Sequence, residues 1–112
     1  MFSLYDLFKS VANYEKTSNT MMPITFKTEA VMGIYMVPRN YGSKSGSKPA
    51  QLQNVIYFNE KYKEHRDNIL MGDVRYNGES YFTGTSRTLF IWHRGPNIGE
   101  CIDKINNTIK CV

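Results

Sequence analysis

The sequence predicts a single α+β domain, with about five mostly antiparallel strands and an N-terminal and a C-terminal helix packed on the sheet. Three observations predict this class. Apolar residues recur at helical spacing near both ends of the chain and at alternate positions in between. Turn-forming residues separate the alternating stretches, which is typical of antiparallel neighbours. The chain has only 112 residues, so residues 1–112 are expected to form one domain.

The first element is an amphipathic helix, which we predict over residues 3–14. Its apolar positions recur every three or four residues, as Phe2, Leu4, Leu7, Phe8 and Val11. Ser3 followed by Asp6 resembles a capping box, in which each side chain binds the backbone N–H of the other residue. The polar segment that follows, closed by Pro23, should end the helix.

Residues 24–37 alternate between two faces, so we expect one long strand there, or two strands with a bend at Gly33. The stretch that follows is rich in Ser, Gly and Lys and has little to bury, so residues 38–53 should form a flexible loop. A short strand is predicted at 55–58 from its β-branched and aromatic residues. Residues 59–68 are charged, and we expect a loop with helical character there.

The clearest local signal is the dipeptide Asn77-Gly78, which can supply both positive-φ positions of a type I′ turn. It predicts a hairpin whose strands are residues 71–76 and 79–83. A further turn is expected at residues 84–87, because Gly, Thr and Ser are common in turns.

Residues 88–93 are the most apolar short segment, so we expect a central strand that is buried on both faces. Gly95 and Pro96 end this strand. Asn97, with Glu100 three residues later, then predicts the start of the last helix. The apolar stripe of this helix comprises Ile98, Cys101, Ile102, Ile105 and Ile109.

The two cysteines, Cys101 and Cys111, are ten residues apart, which corresponds to about 15 Å along one helix. A disulfide would need the helix to end early, so both thiols should stay reduced. Cys101 is expected in the core and Cys111 to be a loosely held terminal thiol. Two cysteines and two histidines do not make a zinc pattern, so we predict no metal and no cofactor.

Composition narrows the functions that the chain can have. The longest apolar run without a charge, residues 30–37, is far shorter than the 20 or so residues of a spanning helix. No secretory signal is recognised at the N-terminus, so a cytoplasmic protein with no membrane partner is expected. The net charge of +4 favours a polyanionic partner only modestly.

Asn, Lys, Ile, Tyr and Phe together supply 42 of the 112 residues, a bias that is typical of AT-rich coding DNA. This bias favours a phage or other viral genome, or an AT-rich bacterium, as the source. We therefore expect an accessory protein of a phage or mobile element, which would act in the host cytoplasm.

The candidate ligand-binding residues are basic, aromatic and hydroxyl-bearing side chains at the two ends of the last strand and in the basic loop. Arg94 precedes the last helix, whose N-terminus attracts anions. Arg87 lies in the turn at the other end of the strand, roughly 20 Å away, so only an extended ligand would reach both arginines. The full set is Arg39, Tyr41, Lys44, Lys48, Thr85, Ser86, Arg87, Arg94 and Asn97.

Three functions are compatible with these residues. The first is a non-enzymatic protein that binds a phosphate-bearing ligand, either nucleic acid or nucleotide, because a base can stack on an exposed Tyr while Lys or Arg holds the phosphate. The alternative is a protein-binding or homo-oligomeric assembly module, such as an inhibitor of a host protein. The third is a small metal-independent nuclease in which His65 and His93 act as general acid and base. The sequence does not show whether these two histidines approach each other.

Overall fold

The computed structural model describes residues 3–13, 24–39, 41–42 and 54–112, and within them the chain forms three α-helices and six strands. The helices are α1 (Leu4–Ala12), α2 (Tyr62–His65) and α3 (Ile98–Ile109), and a short 3₁₀ turn (Arg66–Asn68) follows α2. The strands are β1 (Ala30–Met36), β2 (Val55–Ile56), β3 (Ile69–Met71), β4 (Val74–Tyr76), β5 (Tyr81–Thr83) and β6 (Leu89–Gly95). The predicted α+β class is confirmed. No helix in the described ranges has the length and apolar character to cross a membrane.

The strands form two antiparallel sheets of three strands each, where the sequence suggested one sheet. The first sheet has the order β1-β6-β3 and the second has the order β2-β5-β4. The chain passes from the first sheet to the second at Gly72-Asp73. At this corner the backbone N–H of Asp73 donates to the backbone carbonyl of Arg87 (2.8 Å), and the N–H of Gly84 donates to the backbone carbonyl of Asp73 (2.8 Å). The predicted strand at 71–76 is therefore divided between the two sheets.

Helix α1 has the predicted N-terminal cap. The backbone N–H of Asp6 donates to Oγ of Ser3 (3.1 Å), and the N–H of Ser3 donates to Oδ2 of Asp6 (3.2 Å), which completes the capping box. Its apolar side chains Leu4, Phe8 and Val11 are all exposed, and Leu7 is half-buried. Local hydrogen bonds therefore define this helix more than burial does.

Strand β1 starts six residues later than predicted, because its length is set by the strand with which it pairs. Ala30 lies opposite Gly95, the last residue of β6, and the next residue is Pro96, which has no N–H to continue the ladder. Residues 24–29 thus have no strand partner in the described chain. The helical character predicted for residues 59–68 is confirmed by α2 and the 3₁₀ turn.

The hairpin between β4 and β5 is confirmed, but its turn is not the two-residue type I′ turn. Tyr76 pairs with Tyr81, so four residues form the loop. Oδ1 of Asn77 accepts hydrogen bonds from the backbone N–H groups of Glu79 (3.0 Å) and Ser80 (2.8 Å), while Gly78 has a φ of +103°. Asn77 therefore shapes the loop through its side chain.

The core lies between the first sheet and α3, and Ile56 of β2 in the second sheet also packs in it. Strand β6 is central, as predicted, but it is buried on one face only: Leu89, Ile91 and His93 face α3 and are buried, whereas Phe90 and Trp92 are half-buried on the other face. Helix α3 packs on β1 and β6 and covers the buried face of this sheet. The buried core residues are Ile56, Ile69, Leu89, Ile91 and Ile105.

Helix α3 begins at the predicted cap, where Oδ1 of Asn97 accepts a hydrogen bond from the backbone N–H of Glu100 (2.9 Å). Its buried stripe differs from the predicted one. Cys101, Ile105 and Thr108 are buried, whereas Ile102 is 40% exposed. The helix is therefore rotated so that a threonine takes a place in the core that the spacing assigned to isoleucines.

Both cysteines are free, and both are buried. Cys101 is a core residue, as expected. The prediction for Cys111 was wrong, because this residue is only 2% exposed and its backbone carbonyl accepts a hydrogen bond from the N–H of Asn59 (2.9 Å). The chain after α3 thus packs against the segment before α2.

Candidate functional site

The face of the first sheet that points away from α3 is its open face. The residues on this face are Val31, Gly33 and Tyr35 of β1, Leu70 of β3, and Phe90, Trp92 and Arg94 of β6. Val31 is 64% exposed, Leu70 53% and Tyr35 52%, which are high values for apolar residues in the middle of strands. Exposed apolar residues that share one face of a sheet make that face a candidate binding surface.

Three aromatic side chains, Tyr35, Phe90 and Trp92, form the centre of the open face, and we call them the aromatic platform. The ring centroids of Tyr35 and Phe90 are 4.8 Å apart. The Phe90 ring lies directly over Gly33, because a Cβ atom at residue 33 would overlap the ring. Glycine at this position therefore lets the ring lie down across β1, and the platform extends over two strands.

One arginine lies at each end of the platform, and both are predicted site residues. The Arg87 guanidinium is 5.1 Å from the centroid of the Tyr35 ring, within the range of a cation–π contact. Arg94 is two residues after Trp92 on the same face of β6, and its Nη1 atom is 4.0 Å from Oε2 of Glu29. Its side chain remains 60% exposed, so the guanidinium can still reach a ligand.

The other groups proposed for anion binding already contact carboxylates of the chain. Oδ1 of Asn97 accepts from the backbone N–H of Glu100, and the Nδ2 group of Asn97 donates to Oε1 of the Glu100 carboxylate (3.3 Å). The backbone N–H of Ser86 donates to Oδ2 of Asp73 (2.9 Å). Thr85 is exposed in the same turn. The polar groups at the start of α3 and in the turn before β6 are therefore already hydrogen-bonded to the carboxylates of Glu100 and Asp73.

The predicted flexible loop contributes less to the described site. Arg39 and Tyr41 are exposed, and the backbone N–H of Tyr41 donates to Pro38 (3.0 Å). Lys44 and Lys48 lie outside the described residues. Of the nine candidate residues, Arg87 and Arg94 are the two that the structure places on the open face.

His65 and His93 come together, with their ring centroids 6.4 Å apart. The hydroxyl of Thr108 lies between them, 2.7 Å from Nε2 of His93 and 3.2 Å from Nδ1 of His65. The same hydroxyl donates to the backbone carbonyl of Lys104 (3.1 Å). These contacts join α2, β6 and α3. Thr108 is not among the residues predicted from the sequence. Its position three residues after Ile105, beside the predicted apolar stripe, is the one sequence signal that points to it.

His65, His93 and Thr108 form a cluster, which we call the histidine cluster, and its contacts hold α2, β6 and α3 together. Thr108 is fully buried, and a hydroxyl has one proton to donate and two lone pairs to accept with. This one hydroxyl therefore contacts both rings and the backbone of α3 at the same time. A phosphate between the two rings would therefore have to displace this hydroxyl.

Burial, the charge of His65 and the charge of Lys104 lower the pKa of His93 from its usual 6.5. The unfolded chain then binds a proton more readily than the folded one, so we expect the free energy of unfolding to be constant above pH 7 and to fall as the pH drops below 6.5. Urea titrations at several pH values between 5 and 8 would measure this. The variant His93→Gln should remove most of the slope, and an unchanged slope in that variant would contradict the assignment.

No protein-family model matches this chain, and no curated protein matches its sequence. Within the described residues, no group of three or more His, Cys, Asp or Glu side chains is placed to hold a metal ion. The function is therefore inferred from the geometry of the open face.

Proposed function

We propose that this protein binds single-stranded nucleic acid across the open face of its first sheet. The observation that carries the proposal is the aromatic platform with an arginine at each end. Unpaired bases stack on aromatic side chains with little dependence on sequence, and arginines bind the phosphates between them. Tyr35, Phe90 and Trp92 supply the rings, and Arg87 and Arg94 supply the positive charge.

The geometry favours an extended single strand over a duplex or a small anion. In a duplex the faces of the bases are stacked on one another and cannot reach the platform. Arg87 precedes β6, a strand of seven residues, and Arg94 lies near the other end of this strand, so the two arginines are roughly 20 Å apart along the strand direction. A mononucleotide would reach one of them, whereas a short oligonucleotide would reach both.

A protein partner is the alternative, and the exposure of Val31 and Leu70 favours it. An apolar protein interface and a nucleic-acid interface differ in their response to salt. Phosphate contacts weaken steeply as salt rises, because each contact releases condensed cations, whereas apolar contacts do not. In either case we propose an accessory role, for a phage or mobile element, in the cytoplasm of its host.

Trp92 is the only tryptophan of the chain and lies on the platform, so its fluorescence reports directly on stacking. Titration with oligothymidylate and oligoadenylate of about eight nucleotides, within the usual range of site sizes, should quench this fluorescence. The logarithm of the dissociation constant should rise linearly with the logarithm of the salt concentration. Absence of quenching at low salt by any single strand would refute the proposal.

Substitution of the two arginines tests the extent of the ligand. We expect Arg94→Ala to weaken oligonucleotide binding by roughly 1.5–3 kcal/mol, the range for hydrogen bonds to charged groups. Arg87→Ala should have a similar effect on an oligonucleotide and little effect on a mononucleotide, measured by calorimetry. Loss with Arg94 alone would indicate a small anion at the start of α3.

The matched control for these variants is Arg75→Ala. Arg75 is also an exposed strand arginine, but it lies in β4 of the second sheet, beside a shallow cavity of about 290 Å³ that Phe82 also lines. This variant removes the same charge and should leave binding within about twofold, apart from the general effect of net charge. Equal losses from all three arginines would indicate unspecific attraction to a basic protein.

A further inference from the structure

Strand β1 is the longest sheet edge in the described part of the chain. The two sheets have four edge strands, which are β1, β3, β2 and β4. Three of these edges have two or three residues, whereas β1 has seven. One side of β1 pairs with β6, and its other side has no strand partner among the described residues.

The composition of β1 does nothing to prevent pairing at this free side. Proteins protect edge strands with short length, charges, prolines or bulges. Residues Ala30–Met36 include no charged residue and no proline, and they pair with β6 in continuous register. Backbone N–H and C=O groups along such an edge are a template for another strand.

We propose that two copies of this chain associate by pairing β1 with β1, antiparallel, about a two-fold axis at Gly33. In a two-fold interface each contact occurs twice, so the strand must be complementary to itself. Centred on Gly33, the pairing places Val31 opposite Tyr35 of the second copy and Met32 opposite Ile34. Gly33 faces the same residue of the second copy, and all seven residues of β1 find a partner.

This pairing accounts for the exposure that the single chain leaves unexplained. Val31 and Tyr35 are each more than half exposed, and pairs of an aromatic with a β-branched residue stabilise neighbouring antiparallel strands. Met32 and Ile34, which pack against the core from the opposite face, would join the cores of the two copies. No like charges oppose each other within the paired segment.

Association through β1 is separate from the proposed function and does not depend on nucleic-acid binding. A two-fold axis perpendicular to the sheet keeps the same face of both copies on the same side. The result is a sheet of six strands, with α3 of both copies behind it and both aromatic platforms on one surface.

The oligomeric state of the full chain without nucleic acid tests this inference. Native mass spectrometry and sedimentation should show a species of twice 13.0 kDa. In the variant V31D/Y35D, the introduced carboxylates of the two copies would oppose each other, and the dimer dissociation constant should rise by at least about tenfold. In V31K/Y35D, an introduced ammonium of one copy would oppose an introduced carboxylate of the other, and the dimer should be largely restored.

The two double variants remove the same two side chains and differ only in the charge at residue 31. A difference between them therefore shows whether residue 31 of one copy lies opposite residue 35 of the other. Both substitute residues that are more than half exposed, and circular dichroism would verify that they fold. Hydrogen exchange of the unmodified chain is a second test. The β1 amides that donate to β6 should be protected at every concentration, whereas the alternate β1 amides, which point away from β6, should be protected in concentrated samples and exchange freely in dilute ones. A monomer at all concentrations, equal behaviour of the two variants, or protection in the monomer of the β1 amides that point away from β6 would each overturn the inference.

Discussion

Replacement of Ile105 by Asp should unfold the domain at room temperature. Ile105 is 3% exposed and packs in the core with Ile91 and Leu89. Loss of the apolar side chain costs about 2–5 kcal/mol, and an unpaired buried carboxylate costs several more. Together these terms match the total stability of about 5–15 kcal/mol that is typical of a domain. Circular dichroism and urea titration of the purified variant would measure the loss.

Ile102→Asp is the matched control, because it places the same charge on the same helix three residues earlier. Ile102 is 40% exposed, so its carboxylate would reach water, and we expect a change within about 1 kcal/mol. From spacing alone the two isoleucines are equivalent, and both substitutions would be expected to unfold the protein. Equal losses from the two variants would contradict the orientation of α3.

The second large effect is expected for Thr108→Val, which keeps the shape of the side chain and removes its hydroxyl. The facing nitrogens of His65 and His93 would lose their shared partner. A buried polar group without a partner costs about 1–3 kcal/mol, and because His93 is buried and His65 partly buried, we expect a combined loss of about 2–4 kcal/mol. Urea titration at pH 8 would measure this loss above the pH range in which the lowered pKa of His93 affects stability.

Thr85→Val serves as the control for this prediction, because Thr85 is exposed in the turn before β6. The same change of chemistry there should alter stability by less than about 0.5 kcal/mol. If Thr108→Val were equally mild, the histidine cluster would not join α2, β6 and α3 as described.

Features that depend on neighbouring residues could be predicted from the sequence. Ser3 caps α1 with Asp6, and Asn97 caps α3 by accepting from Glu100, in each case over three residues. Such contacts follow from the local chain alone. The same holds for the β4–β5 hairpin, although the loop of four residues was not foreseen.

Features that depend on distant residues could not be predicted. The contact between His65 and Thr108 joins residues 43 positions apart, and no local pattern indicates it. Whether one or both faces of β6 are covered depends on where α3 packs. Four apolar residues in a row, Leu89 to Trp92, fit a strand buried on both faces as well as a strand with an aromatic open face.

The candidate site was therefore predicted in part. Arg87 and Arg94 were recognised as residues at the two ends of one strand, and the structure places both on the open face. The aromatic platform between them is not evident from the sequence, because the spacing of Phe90 and Trp92 also fits a strand buried on both faces. Gly33 was considered only as a bend, and its role under the Phe90 ring depends on the register with β6.

The pairing of β1 with β6 also has a consequence for the order in which the protein folds during synthesis. Gly33 pairs with Trp92, which is made 59 residues later. The β4–β5 hairpin closes over a few residues and forms early, whereas contacts between distant residues form late. An uncharged strand thus leaves the ribosome long before its partner exists, and such segments associate with other nascent chains. High expression should therefore favour inclusion bodies, and cooling or an available chaperone should raise the soluble yield.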